Sequence, residues 1–244
     1  MPYIKETCYS GKVIEVVKKF SSRYHKPGIK RGKNTKPTTE EVQNINKRHA
    51  ETKLRRIINT NFGAGDYHIV LTYKPQKRPD LEGAKECISK FLGKMRISYK
   101  KSGKELRYIV VTEIGKKGAI HHHLVINAGS GKEIRGAWPY GGVHITLLDN
   151  TGQYGLLAAY LIKQVDKLIR EKEYPWGKRW CQSRNLEKPK VVTEIVSANS
   201  WRKPPKAKQG YYLEDEKIRS GDCFGYEYLF YSMVFLEKTG RRRL

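Results

Sequence analysis

Apolar positions recur along this chain with either helical or alternating spacing, and the pattern predicts its elements before any chemistry is considered. Residues 12–17 (Lys-Val-Ile-Glu-Val-Val) are β-branched and predict a strand. Residues 18–37 are basic and rich in turn formers, the composition of a loop or arm. Thr38 followed by Glu41 has the spacing of a capping box, so a helix is predicted to open there and run to about Asn59. Gly63 and Gly65 break the chain before a compact strand at 67–73. Asp80 caps a second helix with an apolar stripe of Leu81, Ala84, Ile88, Phe91 or Leu92, and Met95. Two strand-like runs, 106–114 and 120–127, are joined by Gly115-Lys-Lys-Gly118, the chemistry of a hairpin. Ser130 and Glu133 cap a short helix, and 143–148 reads as another strand. A long helix is predicted over about 152–171, with Ala158, Ile162, Val165 and Ile169 as its apolar stripe and Leu161 and Leu168 at the side. Residues 190–198 and 226–237 are strand-like, with a Pro- and Lys-rich interruption near 202–208.

The order β-α-β-β-α-β-α across 67–171 predicts an α+β protein, an antiparallel sheet with helices on its faces. Three segments follow: an N-terminal strand, arm and helix (1–62), a core (63–173), and an aromatic, basic loop with C-terminal strands packing on that core (174–244).

Composition narrows the partner. The 244 residues are 38% hydrophobic, enough for one sizeable core. Lys and Arg number 49 against 24 Asp and Glu, a formal charge of +25. That excess favours a polyanion, because side chains that neutralise phosphates release condensed counterions. The chain has no run of about 20 apolar residues to span a membrane. Lys5, Glu6, Lys12 and Glu15 interrupt any secretory signal over 1–20. Cys8, Cys87, Cys181 and Cys223 are scattered without a CxxC pair, so neither a zinc knuckle nor a disulfide framework is indicated. A reducing cytoplasm and a nucleic-acid partner are the expectations.

The candidate chemistry is concentrated in two places. Three of the seven histidines stand together in Ile120-His-His-His-Leu-Val-Ile126. On a strand, His121 and His123 project from one face and His122 from the other. Two alternate imidazoles suit a shared cation. Glu113, eight residues upstream on the partner strand of the hairpin, is placed to add a carboxylate. An odd-with-odd register brings it to the same face, and an odd-with-even register turns it away. A partly buried histidine cluster is the plainer alternative. The second place is the long helix, where Tyr160, Lys163 and Lys167 lie opposite the apolar stripe. A phenol of pKa near 10 needs help to become a nucleophile at neutral pH, and Lys163 is one turn away. Among 16 tyrosines, an ordinary surface tyrosine is the plainer alternative here too.

Together these pieces resemble the HUH endonucleases, specifically the replication initiators of rolling-circle plasmids and single-stranded DNA phages and viruses. Three motifs match in the family's order: Ile69-Val-Leu-Thr-Tyr73, then His121-His-His123 with Glu113 upstream, then Tyr160-Leu-Ile-Lys163. The resemblance covers about residues 67–167 and implies a five-stranded antiparallel sheet flanked by helices. It implies that His121, His123 and Glu113 hold Mg²⁺ or Mn²⁺. It further implies that Tyr160 attacks a phosphate of single-stranded or hairpin origin DNA, leaving a 5′-phosphotyrosine link and a free 3′-OH. Lys163 would orient the phosphate or steady the phenolate, and Thr72, Tyr73 and Lys167 would lie along the DNA. His122 stands where a bulky apolar residue is usual, faces away from the metal and is expected to be dispensable. Tyr154, six residues before Tyr160, makes a poor match to initiators with two tyrosines on one helix. Gly129-Ser-Gly-Lys132 lacks the spacing of a phosphate loop, so unwinding falls to a host helicase and extension to a host polymerase. A second copy of the chain is the remaining partner to consider.

Outside those motifs, Tyr174-Pro-Trp-Gly-Lys-Arg-Trp180 interleaves aromatic and basic residues. Trp176 and Trp180 would stack on bases while Lys178, Arg179 and Arg184 meet phosphates, or both tryptophans anchor a loop on the core. Residues 18–36 and the Arg241-Arg-Arg243 tail have the character of nonspecific phosphate contacts or of solvated charge. Two alternatives to a nicking enzyme stand beside it: a basic, non-catalytic single-strand-binding protein, and a transposase of the same superfamily.

Overall fold

The structure, a computed structural model, describes residues 3–21, 38–115, 118–170, 178–198, 200–223 and 225–236. It opens with strands β1 (Tyr3–Ser10) and β2 (Val13–Phe20), helix α1 (Thr39–Asn61), strand β3 (Tyr67–Leu71) and helix α2 (Leu81–Lys101). Strands β4 (Tyr108–Ile114) and β5 (Ile120–Ile126), helix α3 (Gly131–Ala137), strand β6 (Val143–Leu147) and helix α4 (Gly155–Arg170) follow. Five further strands complete the described chain: β7 (Cys181–Gln182), β8 (Lys190–Val196), β9 (Tyr211–Leu213), β10 (Arg219–Cys223) and β11 (Tyr226–Phe235). The fold is α+β, with antiparallel sheets of five and six strands, as the patterning and the resemblance both led one to expect.

Two compact units replace the three expected segments: Met1–Pro37 with Lys188–Leu244, and Thr38–Glu187. The first holds a six-stranded sheet in the order β10-β11-β2-β1-β8, with β9 pairing to β11. Its core gathers Ile14, Val16, Trp201, Leu229, Tyr231 and Met233. Strand β1 escaped the patterning because its polar residues are matched across the sheet. Lys5 meets Glu194 of β8 at 3.2 Å, and Glu6 meets Lys19 of β2 at 3.6 Å. Pairing with a distant strand makes a polar run strand-forming, and no local period reveals it.

The second unit is a five-stranded sheet, order β6-β3-β5-β4-β7, between two helical layers. Alternation divides its faces cleanly. Ile69, Leu71, Val110, Leu124 and Ile126 point toward α2 and α3, where Phe91, Met95, Ile134 and Trp138 close a core. Ile109, Val111 and Val125 point toward α1 and α4, where Leu54, Ile58, Leu161, Ile162 and Val165 close another. Helix α1 therefore belongs with the sheet rather than with the N-terminal strands. Its capping box forms as predicted: Glu41 N donates to Thr38 Oγ1 at 3.1 Å, and Thr38 N donates to Glu41 Oε2 at 2.8 Å. Asp80 likewise caps α2, accepting from Gly83 N at 2.8 Å.

Helix α4 starts three residues later than predicted. Gly152 has φ +67°, a left-handed conformation that no helix contains. Asp149 and Thr151 form a turn there, with Thr151 N donating to Asp149 Oδ1 at 3.0 Å. No helix among the described residues is long and apolar enough to cross a membrane.

Candidate active site

The register between β4 and β5 decides which residues share a face. Glu113 lies directly opposite His121, and Val111 opposite His123, so odd residues pair with odd. The hairpin connection fixes this: Gly115 N donates to Ala119 O at 2.8 Å, and Gly118 adopts φ +72°. Glu113, His121 and His123 consequently share the face covered by α1 and α4. Of these, His123 and Glu113 are already in contact, Nε2 to Oε2 at 3.0 Å. The His123 ring is buried, and its Nδ1 has no hydrogen-bond partner. Among the described residues, no three His, Cys, Asp or Glu side chains are gathered into a ready-made metal cage.

Helix α4 brings Tyr160 onto this face. Ala158, Leu161, Ile162 and Val165 bury into the sheet, which leaves Tyr160 at the flank, 43% exposed. Its ring meets the His123 ring edge-on with centroids 5.5 Å apart, and the ring of His68 at 6.4 Å. Burial raises the phenol above its ordinary pKa, the Glu113 carboxylate raises it further, and a hydrogen bond with Gln164 pulls it back. Lys163, expected to orient the phosphate or steady the phenolate, is exposed one turn along. Tyr154 is not a second candidate nucleophile. It is buried, its hydroxyl donates to Asp149 O at 2.8 Å, and burial followed by Asp149 pushes its pKa up to about 12.

His68 is the site residue that patterning missed. It stands on β3, whose Val70 lies opposite His123. Alternation therefore turns His68 to the same face, and its ring lies nearly parallel to that of His123, 11° apart in plane with centroids at 5.7 Å. Its Nε2 is buried without a partner. Burial first, then His123 and His144, push its pKa down to about 4. The period-two pattern of β3 carried this signal, but only knowledge that β3 and β5 are neighbours makes it readable.

His122 faces the other way, as alternation requires, but it is no spare. It is wholly buried, with Nε2 2.9 Å from Tyr73 Oη and Nδ1 2.9 Å from Thr112 Oγ1. Burial, reinforced by His123 and His121, pushes its pKa down to about 3, so the ring is neutral. Tyr73, expected along the DNA, is thereby a core residue packed on Trp138. Thr72 is half-buried at the end of β3 and holds the turn before β6, its Oγ1 accepting from Gly142 N at 3.1 Å. Trp138 Nε1 donates to Thr72 O at 2.8 Å. The hydrophobic-Thr-Tyr motif thus acts chiefly as a staple.

The loop before β7 is likewise more structural than expected. Arg179 pairs with the buried Asp166 of α4 at 3.2 Å. Trp180 packs against the α1–α4 core and donates to Gln182 Oε1 at 2.9 Å, with Lys53 over its ring at 5.9 Å. Lys178 is exposed. Trp176, the Lys167 side chain, most of the basic arm and the C-terminal arginines lie outside the described residues.

Residues 66–165 match the family described as replication-associated protein ORF2/G2P. The matched stretch runs from just before β3 into α4 and takes in His68, Glu113, the three strand histidines and Tyr160. It agrees with the resemblance to replication initiators drawn from the three motifs. No curated protein matches the chain.

Proposed function

We propose that this protein nicks and rejoins single-stranded DNA at a replication origin, starting rolling-circle synthesis. The observation that carries this reading is the meeting of Tyr160 with His123 on the face that Glu113 and His121 share. Side chains on two strands and a later helix converge on one spot, and a phenol beside an imidazole–carboxylate pair suits phosphoryl transfer.

In the proposed reaction, Tyr160 Oη forms a bond to the scissile phosphorus as the bond from phosphorus to the 3′ oxygen breaks. The phenolic proton leaves with attack, and a proton is taken up by the departing 3′ oxygen. Products are a 5′-phosphotyrosine link and a free 3′-OH for a host polymerase, with strand separation by a host helicase. Attack by a later 3′-OH on the same phosphorus reverses the chemistry and rejoins DNA. Gln164 orients the phenol through its hydrogen bond. Glu113, in contact with His123 and close enough to raise the phenol's pKa, is a carboxylate able to accept the proton. Lys163, exposed on the same helix, is free to meet a phosphate.

His121, His123 and Glu113 fit a divalent cation by donor type and by register, and His123 and Glu113 are already in contact. Mg²⁺ or Mn²⁺ held there would supply positive charge to polarise the phosphate and stabilise the leaving oxygen.

The test is incubation of an origin-derived or random single-stranded oligonucleotide with the protein and Mn²⁺. A protein–DNA adduct that survives boiling in detergent is expected, and Tyr160→Phe should abolish it while leaving DNA affinity within about twofold. An adduct persisting in Tyr160→Phe refutes the nucleophile assignment. Normal DNA binding without any adduct supports a non-catalytic binder instead.

A further inference from the structure

The β7 edge of the five-stranded sheet carries a cationic feature, away from Tyr160. The C-terminal half of α2, the connection into β4 and the segment after β7 enclose a surface cavity of about 790 Å³. Arg96, Lys100, Lys104 and Arg184 line it, with the amides of Gln182 and Asn185. Tyr108 of its lining belongs to the core on the α2 side of the sheet, whereas Tyr160 lies on the α4 side.

The lining is built rather than loosely draped. Ser183 N donates to Tyr108 O at 3.0 Å, and Tyr108 N donates to Ser183 Oγ at 3.1 Å. Asn185 Nδ2 donates to Leu106 O at 3.3 Å, and Arg96 donates to Tyr108 Oη at 2.9 Å. Glu105 is the acid of the lining, and its carboxylate accepts from Asn185 at 3.2 Å rather than from a cation. Lys100 in the last turn of α2 complements the helix dipole, but Lys104 and Arg184 lie beyond the helix and gain nothing from it. Like charges gathered this way repel, and an anionic ligand relieves the repulsion.

The ligand's class follows from the side chains. Single strands are held largely by stacking on exposed aromatic rings. Tyr108, the aromatic residue of this lining, is buried and its hydroxyl is engaged. The amides of Gln182 and Asn185 are engaged within the protein as well, which leaves the lysines and arginines to meet phosphates, the part of a duplex that needs no stacking. We infer that this cavity is a second nucleic-acid site, which docks double-stranded DNA beside the strand taken to Tyr160. This rests on the part of the proposed function that makes DNA the partner, and not on the nicking chemistry.

The experiment replaces Lys100, Lys104 and Arg184 together with Gln. All three are exposed, and Arg96 keeps its bond to Tyr108. Affinity for a fluorescent duplex and for a single strand is read by anisotropy across a salt series, on Tyr160→Phe protein so that no covalent product forms. Duplex affinity should fall at least tenfold near 0.1 M salt. The plot of log affinity against log salt should flatten by about 0.9 for each phosphate that is no longer neutralised. Single-strand affinity should change less than threefold. A control with Lys74, Arg78 and Lys132 replaced by Gln removes equal charge elsewhere and should leave duplex binding within threefold. Equal losses in both triple variants, or a single-strand loss as large as the duplex loss, would overturn the inference. Adduct formation is measured separately with Tyr160 restored. Its absence from every variant, alongside a groove-dependent duplex affinity, refutes the nicking chemistry and upholds this site.

Discussion

Tyr160, His123, Glu113 and His68 meet where α4 crosses the sheet, and each residue's neighbours set its part. His123 touches the carboxylate on one side and the phenol's ring on another, so it cannot be altered without disturbing both. Replacing either His121 or His123 with Ala should abolish cleavage of a single-stranded oligonucleotide; the thermal midpoint should shift little for the half-buried His121 and fall for the buried His123. His122→Ala should keep cleavage and lose stability. It removes a buried ring and leaves Tyr73 and Thr112 without their partner, at a cost of about 3 kcal/mol. For a chain of this size that is a fall of roughly 6–12 °C in Tm, measurable by calorimetry, with cleavage retained below the transition. Equal loss of cleavage from all three substitutions, with stability unchanged, would contradict the two-faced strand. The alternation of His121 and His123 was legible from spacing alone. The side taken by Glu113 was not, because register depends on how the turn closes. His122 read as expendable since nothing local shows that Tyr73 and Thr112 reach it.

Among the elements, helix starts were written in short-range chemistry and were readable to the residue at α1 and α2. Thr38→Ala removes the side chain that receives Glu41 N and should lower stability by about 1 kcal/mol, visible in a urea unfolding curve with an unchanged slope. The α3–β6 connection is less forgiving. A Cβ on Gly141 would lie 2.1 Å from Thr72 O, a backbone atom that cannot yield. Gly141→Ala should therefore cost about 3 kcal/mol, the upper end for overpacking, and loosen the end of β3 beside the site. A stability change under about 0.5 kcal/mol, the range of an ordinary surface substitution, would show that the Thr72 staple is dispensable. The late start of α4 was hidden for a related reason: Gly152 reads as tolerable inside a helix until its left-handed conformation is known.

Across the whole molecule, four strands of the five-stranded sheet were legible because they follow one another in sequence, whereas the two-residue β7 is too short to show a period. The six-stranded sheet was not, because β1 and β2 join β8 and β11 from the far end of the chain. Unit Thr38–Glu187 contains both cores that flank the five-stranded sheet and every residue of the candidate site. Expressed alone, it should unfold cooperatively and still form the adduct, with weaker DNA affinity than the full chain. The central claim, that the phenol of Tyr160 becomes joined to DNA, is tested most directly by protease digestion of the purified adduct and mass spectrometry of the nucleotide-bearing peptide. The account predicts a 5′-phosphate on Tyr160 and on no other residue. A phosphate carried by Tyr154, or by any tyrosine outside α4, would contradict it.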